Sequence, residues 1–177
     1  AATPATSEGT LESSHWPLYI SEVLAINNST LPVDGSYPDL IELHNSGPGA
    51  ISLDGMSLSD DSSEPRRFVF PPGTSIPSNG YLVIRGGQAL ATPGIYTGFN
   101  LDGQGEALAL YDTVANGQSV IDSVTFGMQL ADYSIGRTGP DTTTWELCQP
   151  TLGGANMGLT LGDPSGLRIN EWMTQPD

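Results

Sequence analysis

Short apolar runs, each closed within a few residues by turn-forming residues, constrain this chain more than any other feature. The clearest is Asp39-Leu-Ile-Glu-Leu-His-Asn45. Its period of two puts Ile41 and Leu43 on one face and Glu42 and His44 on the other, as a half-buried strand requires. Comparable runs lie at 18–26, 51–53, 56–58, 68–70, 81–84, 106–111, 119–126, 133–136 and 145–148. Between them stand Asp54-Gly55, Pro71-Pro-Gly73, Asn79-Gly80, Gly103 and Gly105, and Asn116-Gly117. Asp54-Gly55 is a hairpin-type turn signal between 51–53 and 56–58, and 106–111 with 119–126 reads as a second hairpin. The 22 Gly and 14 Pro are spread along all 177 residues, so no stretch sustains a helical period. About nine short strands at this spacing predict an all-β, immunoglobulin-like antiparallel β-sandwich with one core.

Charge narrows the partners. Asp and Glu number 20 against five basic residues, all Arg, for a net charge of −15. Such a surface repels phosphate, which argues against nucleic acid and anionic lipid and suits solubility or divalent cations. No apolar run is long enough for a membrane helix, so no membrane insertion is expected. Cys148 is the single cysteine, which rules out an intrachain disulfide and a Cys-x-x-Cys metal site; it reads as a buried hydrophobe.

The opening of the chain recurs near its end. Leu18-Tyr-Ile-Ser-Glu22 and Leu167-Arg-Ile-Asn-Glu171 share one pattern 149 residues apart. The echo predicts a sandwich over 18–158, a boundary or linker over 1–17, a linker over 159–166, and the first strand of a following repeat over 167–177. An orphaned strand exposes an unpaired edge, so residues 167–174 are expected to make a strand-addition contact with another copy or with their own sandwich.

Several runs, in this order and spacing, resemble the lamin-tail domain, specifically its bacterial, exported members. They are Ile20-Ser-Glu22, Asp39-Leu-Ile-Glu-Leu-His-Asn45, Ile51-Ser-Leu-Asp-Gly-Met-Ser-Leu-Ser-Asp-Asp61 and Phe70-Pro-Pro-Gly-Thr-Ser-Ile-Pro-Ser-Asn-Gly-Tyr-Leu-Val-Ile84. Further on come Phe99-Asn-Leu-Asp-Gly-Gln-Gly-Glu106, Val120-Ile-Asp-Ser-Val-Thr-Phe-Gly127, Ser134-Ile-Gly-Arg137 and Pro150-Thr-Leu-Gly-Gly-Ala-Asn156. The resemblance covers about 18–158, departs from the family at Ser21 and Leu152, and implies an immunoglobulin-like sandwich without catalysis. It implies an accessory module of a larger exported or cell-surface protein; together with the echo, which points to tandem copies, protein or neighbouring modules are the expected partners. The chromatin-facing surfaces of nuclear lamins would need basic patches, which this chain lacks.

Glu22, Asp39, Glu42 and Arg137 lie in the matched runs. They are expected to form a structural ion network in which a carboxylate holds Arg137 bidentately, rather than an acid/base pair or a cation site. Asp60, Asp61 and Glu64 in one loop, and Asp102 and Glu106 around a Gly-rich turn, are weak calcium candidates that lack EF-hand spacing. Gly103 and Gly105 are expected at positive φ. No cofactor is expected. His15 and His44 make no zinc site without further ligands, and no Gly-x-Ser-x-Gly elbow accompanies them, so a hydrolase is a remote alternative. Trp16, Tyr19, Tyr96, Tyr133, Trp145 and Trp172 are candidates for a polysaccharide platform, and calcium or polysaccharide binding at the cell surface is the alternative function.

Overall fold

The structure, a computed structural model, describes residues 16–139, 143–160, 162 and 165. The expectations for 1–15 and for the echoed strand at 167–177, with its strand-addition contact, fall outside those residues, as do His15 and Trp172. The described residues form eleven strands: β1 Leu18–Leu24, β2 Leu40–Asn45, β3 Ile51–Ser52, β4 Ser57–Ser59, β5 Phe68–Val69, β6 Ser75–Ile76, β7 Gly80–Arg85, β8 Glu106–Tyr111, β9 Val120–Phe126, β10 Ser134–Thr138 and β11 Thr144–Cys148. One 3-10 turn, Val114–Asn116, joins β8 to β9.

The strands build an immunoglobulin-like antiparallel β-sandwich. One sheet has the order β11-β10-β1-β2-β7, the other β5-β4-β8-β9, and β3-β6 is a separate ribbon. Alternation explains the core. Ile20 and Val23 of β1, Ile41 and Leu43 of β2 and Ile84 of β7 meet Leu58, Leu108, Leu110, Val124 and Phe126 from the facing sheet. Leu53, Phe70, Ile76, Phe99 and Leu101 close the ends of this core. Burying each such side chain stabilises the fold by about 1.5–3 kcal/mol.

The β8–β9 hairpin forms as its sequence predicts, with Glu106 opposite Phe126 and Leu108 opposite Val124. The Asp54-Gly55 prediction needs correcting. The turn is real, with Gly55 at φ 77° and the Met56 N–H donating to the Leu53 carbonyl at 2.9 Å. Its flanking runs do not pair with each other, however. β3 pairs with β6 and β4 pairs with β8 and β5, so the turn carries the chain from the ribbon into the second sheet. Met56, Leu58 and Leu53 are all buried, and separate sheets bury them more fully than a two-strand hairpin.

Gly103 and Gly105 serve different purposes. Gly105 has φ 118°, and a Cβ there would lie 2.6 Å from the Phe126 carbonyl oxygen. Gly103 lies outside the positive-φ group; it is small because Ile26 packs against it, 2.5 Å from where a Cβ would sit.

Candidate functional site

Part of the outer face of the five-stranded sheet is shielded from solvent. Glu22, Glu42, Ser134 and Cys148 on that sheet are all fully buried. They are covered by the segment 150–158, which leaves β11 and folds back over β1 and β2. Carboxyl oxygens draw it down. Glu22 Oε1 accepts the Ser134 hydroxyl at 2.5 Å and the Thr151 N–H at 3.0 Å, while Glu42 Oε2 accepts the Gly153 N–H. Asn156 fastens the far side, where its Nδ2 donates to the Ser21 carbonyl at 2.9 Å and to the Arg137 carbonyl at 3.1 Å. Thr151 Oγ1 donates to Asn156 Oδ1 at 2.9 Å and ties the segment to itself.

Local strand geometry puts the two glutamates together. Glu22 stands directly opposite Glu42, and the β1–β2 register slips between Ile20 and Glu22. This irregularity lets Ser21 reach Asn156 while its neighbour Glu22 reaches Thr151. Burial raises the pKa of both acids, Glu42 to about 7, and the Glu22 charge adds to the rise at Glu42. Burial also pushes the Cys148 thiol up to about 11, which leaves it a neutral, unreactive packing group.

Arg137 does meet a carboxylate, but the partner corrects the predicted network. Among the described residues its ion pair is with Asp122 of β9, at 2.6 Å. Asp122 Oδ2 accepts the Ile20 N–H at 2.7 Å, and Arg137 Nε donates to the Ile20 carbonyl at 2.9 Å. The pair thus supplies both rungs that Ile20 would otherwise draw from a neighbouring strand, and it bridges β10 of one sheet to β9 of the other. Tyr19 and Trp145 flank the guanidinium, with ring centroids 5.6 and 4.9 Å from it. Asp39 lies apart from this group, where its Oδ2 accepts the Leu101 N–H at 2.8 Å and burial lifts its pKa to about 6.

Beside Arg137 is a cleft of about 210 Å³ whose lining includes Tyr19, Ser21, His44, Tyr81, Thr138 and Asn156. His44 stacks on Tyr81 with centroids 4.1 Å apart, and Tyr19 meets His44 edge-on with its hydroxyl 2.7 Å from Nδ1. Burial lowers the His44 pKa, so the imidazole is a neutral floor. Of the other predicted aromatics, Tyr96 packs on Arg85 and donates to the Thr92 carbonyl, and Trp16 is exposed. Trp145 and Tyr19 are the two that come together, through Arg137.

The calcium candidates are engaged by their own loops. Asp60 pairs with Arg67 at 2.5 Å, and Asp61 accepts the Ser63 N–H at 2.8 Å and the Ser63 hydroxyl at 2.7 Å. Glu64 is exposed in the same turn. Glu106 accepts the Asp102 N–H, and Asp102 accepts the Gln104 N–H, both at 2.8 Å. Among the described residues no group of three or more His, Cys, Asp and Glu is arranged to hold a metal ion.

Sequence reasoning missed Asp122, Ser134, Thr151 and Asn156. Asp122 had a signal: it is the one acidic residue in the strand run Val120-Ile-Asp-Ser-Val-Thr-Phe126. A charge in such a run calls for a partner. The others carry no local signal, because hydroxyls and amides are unremarked in turns.

None of the curated proteins compared with the chain matches it. A family model described as Lamin Tail Domain matches residues 12–128, which span β1 to β9 and so both sheets of the sandwich. The chain therefore belongs to the lamin tail domain family.

Proposed function

We propose that this chain is a non-catalytic interaction module of a larger exported protein, repeated in tandem, that contacts neighbouring modules or a protein partner. One observation carries this reading: the buried and half-buried polar groups are used to hold the fold. Glu22 and Glu42 fasten the 150–158 segment, Asp39 holds Leu101, Asp122 holds Ile20 and Arg137, and His44 Nδ1 meets Tyr19. A catalytic carboxylate or imidazole must instead face substrate. The echo of Leu18-Tyr-Ile-Ser-Glu22 in Leu167-Arg-Ile-Asn-Glu171 supports tandem copies, and the net charge of −15 suits an exterior setting. Ester and glycoside substrates are expected to react no faster with the chain than in buffer. Turnover abolished by His44→Ala would overturn the reading.

The aromatic cleft favours a second reading, a saccharide-binding module. A sugar ring needs an apolar ring face beside hydrogen-bonding groups, and Tyr81, His44 and Thr138 supply both. Titration calorimetry with an oligosaccharide panel separates the two. Saturable heat removed by Tyr81→Ala would favour the saccharide, and no heat with any glycan would eliminate it.

A further inference from the structure

We propose that Glu22 and Glu42 form a proton-operated latch, which fastens the 150–158 segment to the outer face of the five-stranded sheet in mildly acid solution and loosens it in alkaline solution. The geometry has three parts. First, the two carboxyl groups stand opposite each other in neighbouring strands and both residues are fully buried. Two like charges in one desolvated site cannot both ionise at ordinary cost. Second, among the described residues no cation acts on either carboxyl group. The ion pairs of the described residues are Arg67 with Asp60 and Arg137 with Asp122. Third, the donors are unevenly shared. Glu22 receives Ser134 and Thr151, and Glu42 Oε2 receives Gly153, while Glu42 Oε1 is buried with no hydrogen-bond partner. A buried, unsolvated carboxylate oxygen is costly, and a proton on that carboxyl removes the charge. The natural state is one proton and one negative charge for the pair, with the loop N–H groups directed at the charge.

The segment is the part that yields when the second proton leaves. β1 and β2 are locked in ladders on both sides. Residues 150–158 are held by Glu22, Glu42, Asn156 and a single bridge, Cys148 to Gly158. The segment carries no titratable side chain of its own. Other titratable and charged groups surround the pair. On β7, Tyr81 is raised by burial and by the Glu42 charge. On β11, Cys148 is raised by burial first and then by Glu22 and Glu146. His44 on β2 is lowered by burial, and Arg137 on β10 is paired with Asp122. Glu42, raised to about 7, titrates between pH 6 and pH 9. The sign follows from the raised values: protons favour the latched form, fully so below the ordinary carboxyl range, and the benefit is lost as pH rises through about 7.

Hydrogen exchange read by mass spectrometry on the full chain tests this, with rates corrected for intrinsic pH dependence. Protection of peptides covering 150–159 should fall about tenfold between pH 6 and pH 9, the factor expected for a latched value near 7 against a free carboxyl. The β8–β9 hairpin should stay constant. In Glu42→Gln, which cannot ionise, protection of 150–159 should lose this pH dependence. A wild-type segment no more pH-sensitive than the hairpin, or an unchanged pH profile in Glu42→Gln, overturns the proposal. Should Glu42→Gln not fold, carboxyl carbon NMR of the wild type decides. One acid of the pair titrating near neutrality supports the latch, and both titrating in the ordinary carboxyl range overturns it.

Discussion

Ile20 shows how much a single backbone position can ask of side chains. Its N–H and carbonyl both find partners in the Arg137–Asp122 pair, which is only partly exposed, at 9 and 15% for the two side chains. Removing Asp122 takes an ion-pair partner from Arg137 in a poorly solvated place and frees the Ile20 N–H. Asp122→Ala is therefore expected to destabilise the fold by about 3 kcal/mol in urea denaturation. An effect below about 0.5 kcal/mol would mean that solvent replaces the pair. Gly136 is a second residue-scale case. A Cβ there would sit 2.6 Å from the Asn156 side chain, which donates to the Ser21 and Arg137 carbonyls. Gly136→Ala should displace Asn156 and cost about 1–3 kcal/mol. Preserved Asn156 amide shifts in NMR spectra of that variant would contradict the contact.

At the scale of elements, alternation predicts which face is core but not which strand lies alongside. Leu108 and Leu110 of β8 are wholly buried, as the period of two requires. Leu108→Ala should lower stability by about 2–5 kcal/mol, the range for a buried leucine whose site only partly collapses. The Asp54-Gly55 turn teaches the opposite lesson. Its residues demand a tight turn, yet pairing depends on partners far away in the chain, Ser75–Ile76 for β3 and Glu106–Tyr111 for β4. Turn chemistry is local and strand pairing is not, so this element was legible only in half. The Asp102-Gly-Gln-Gly-Glu106 turn shows the same division. Its carboxylates satisfy its own N–H groups. Thermal melting in calcium is expected to match melting in EDTA, and a calcium-dependent rise in Tm of several degrees would reinstate a metal site there.

For the whole molecule, charge and burial act in the same direction. Asp39 and Glu42 are raised to about 6 and about 7, and Glu22 and Glu106 are also raised, in every case first by burial. Raised carboxyls bind protons more tightly when folded, so their contribution is complete below the ordinary carboxyl range and lost as pH climbs through 6 to 7. Asp132 acts in the opposite sense. Hydrogen bonds from Ser29 and Asn28 hold it at about 2, so its contribution disappears only in strong acid. Net charge of −15 adds self-repulsion that acid relieves. Tm is therefore expected to be higher at pH 5 than at pH 8, and a flat or rising profile between them would show that the buried acids are solvated. The sequence by itself determined the sandwich, its alternating core and its turns, because hydrophobic period and glycine geometry act over a few residues. Only the tertiary structure decided that Arg137 meets Asp122, that Glu22 faces Glu42, and that a segment without regular structure covers both. Arg137 and Asp122 stand on strands of different sheets, the segment reaches the glutamates across more than a hundred positions, and Glu22 faces Glu42 beside a slip in strand register; none of these leaves a mark in the local pattern.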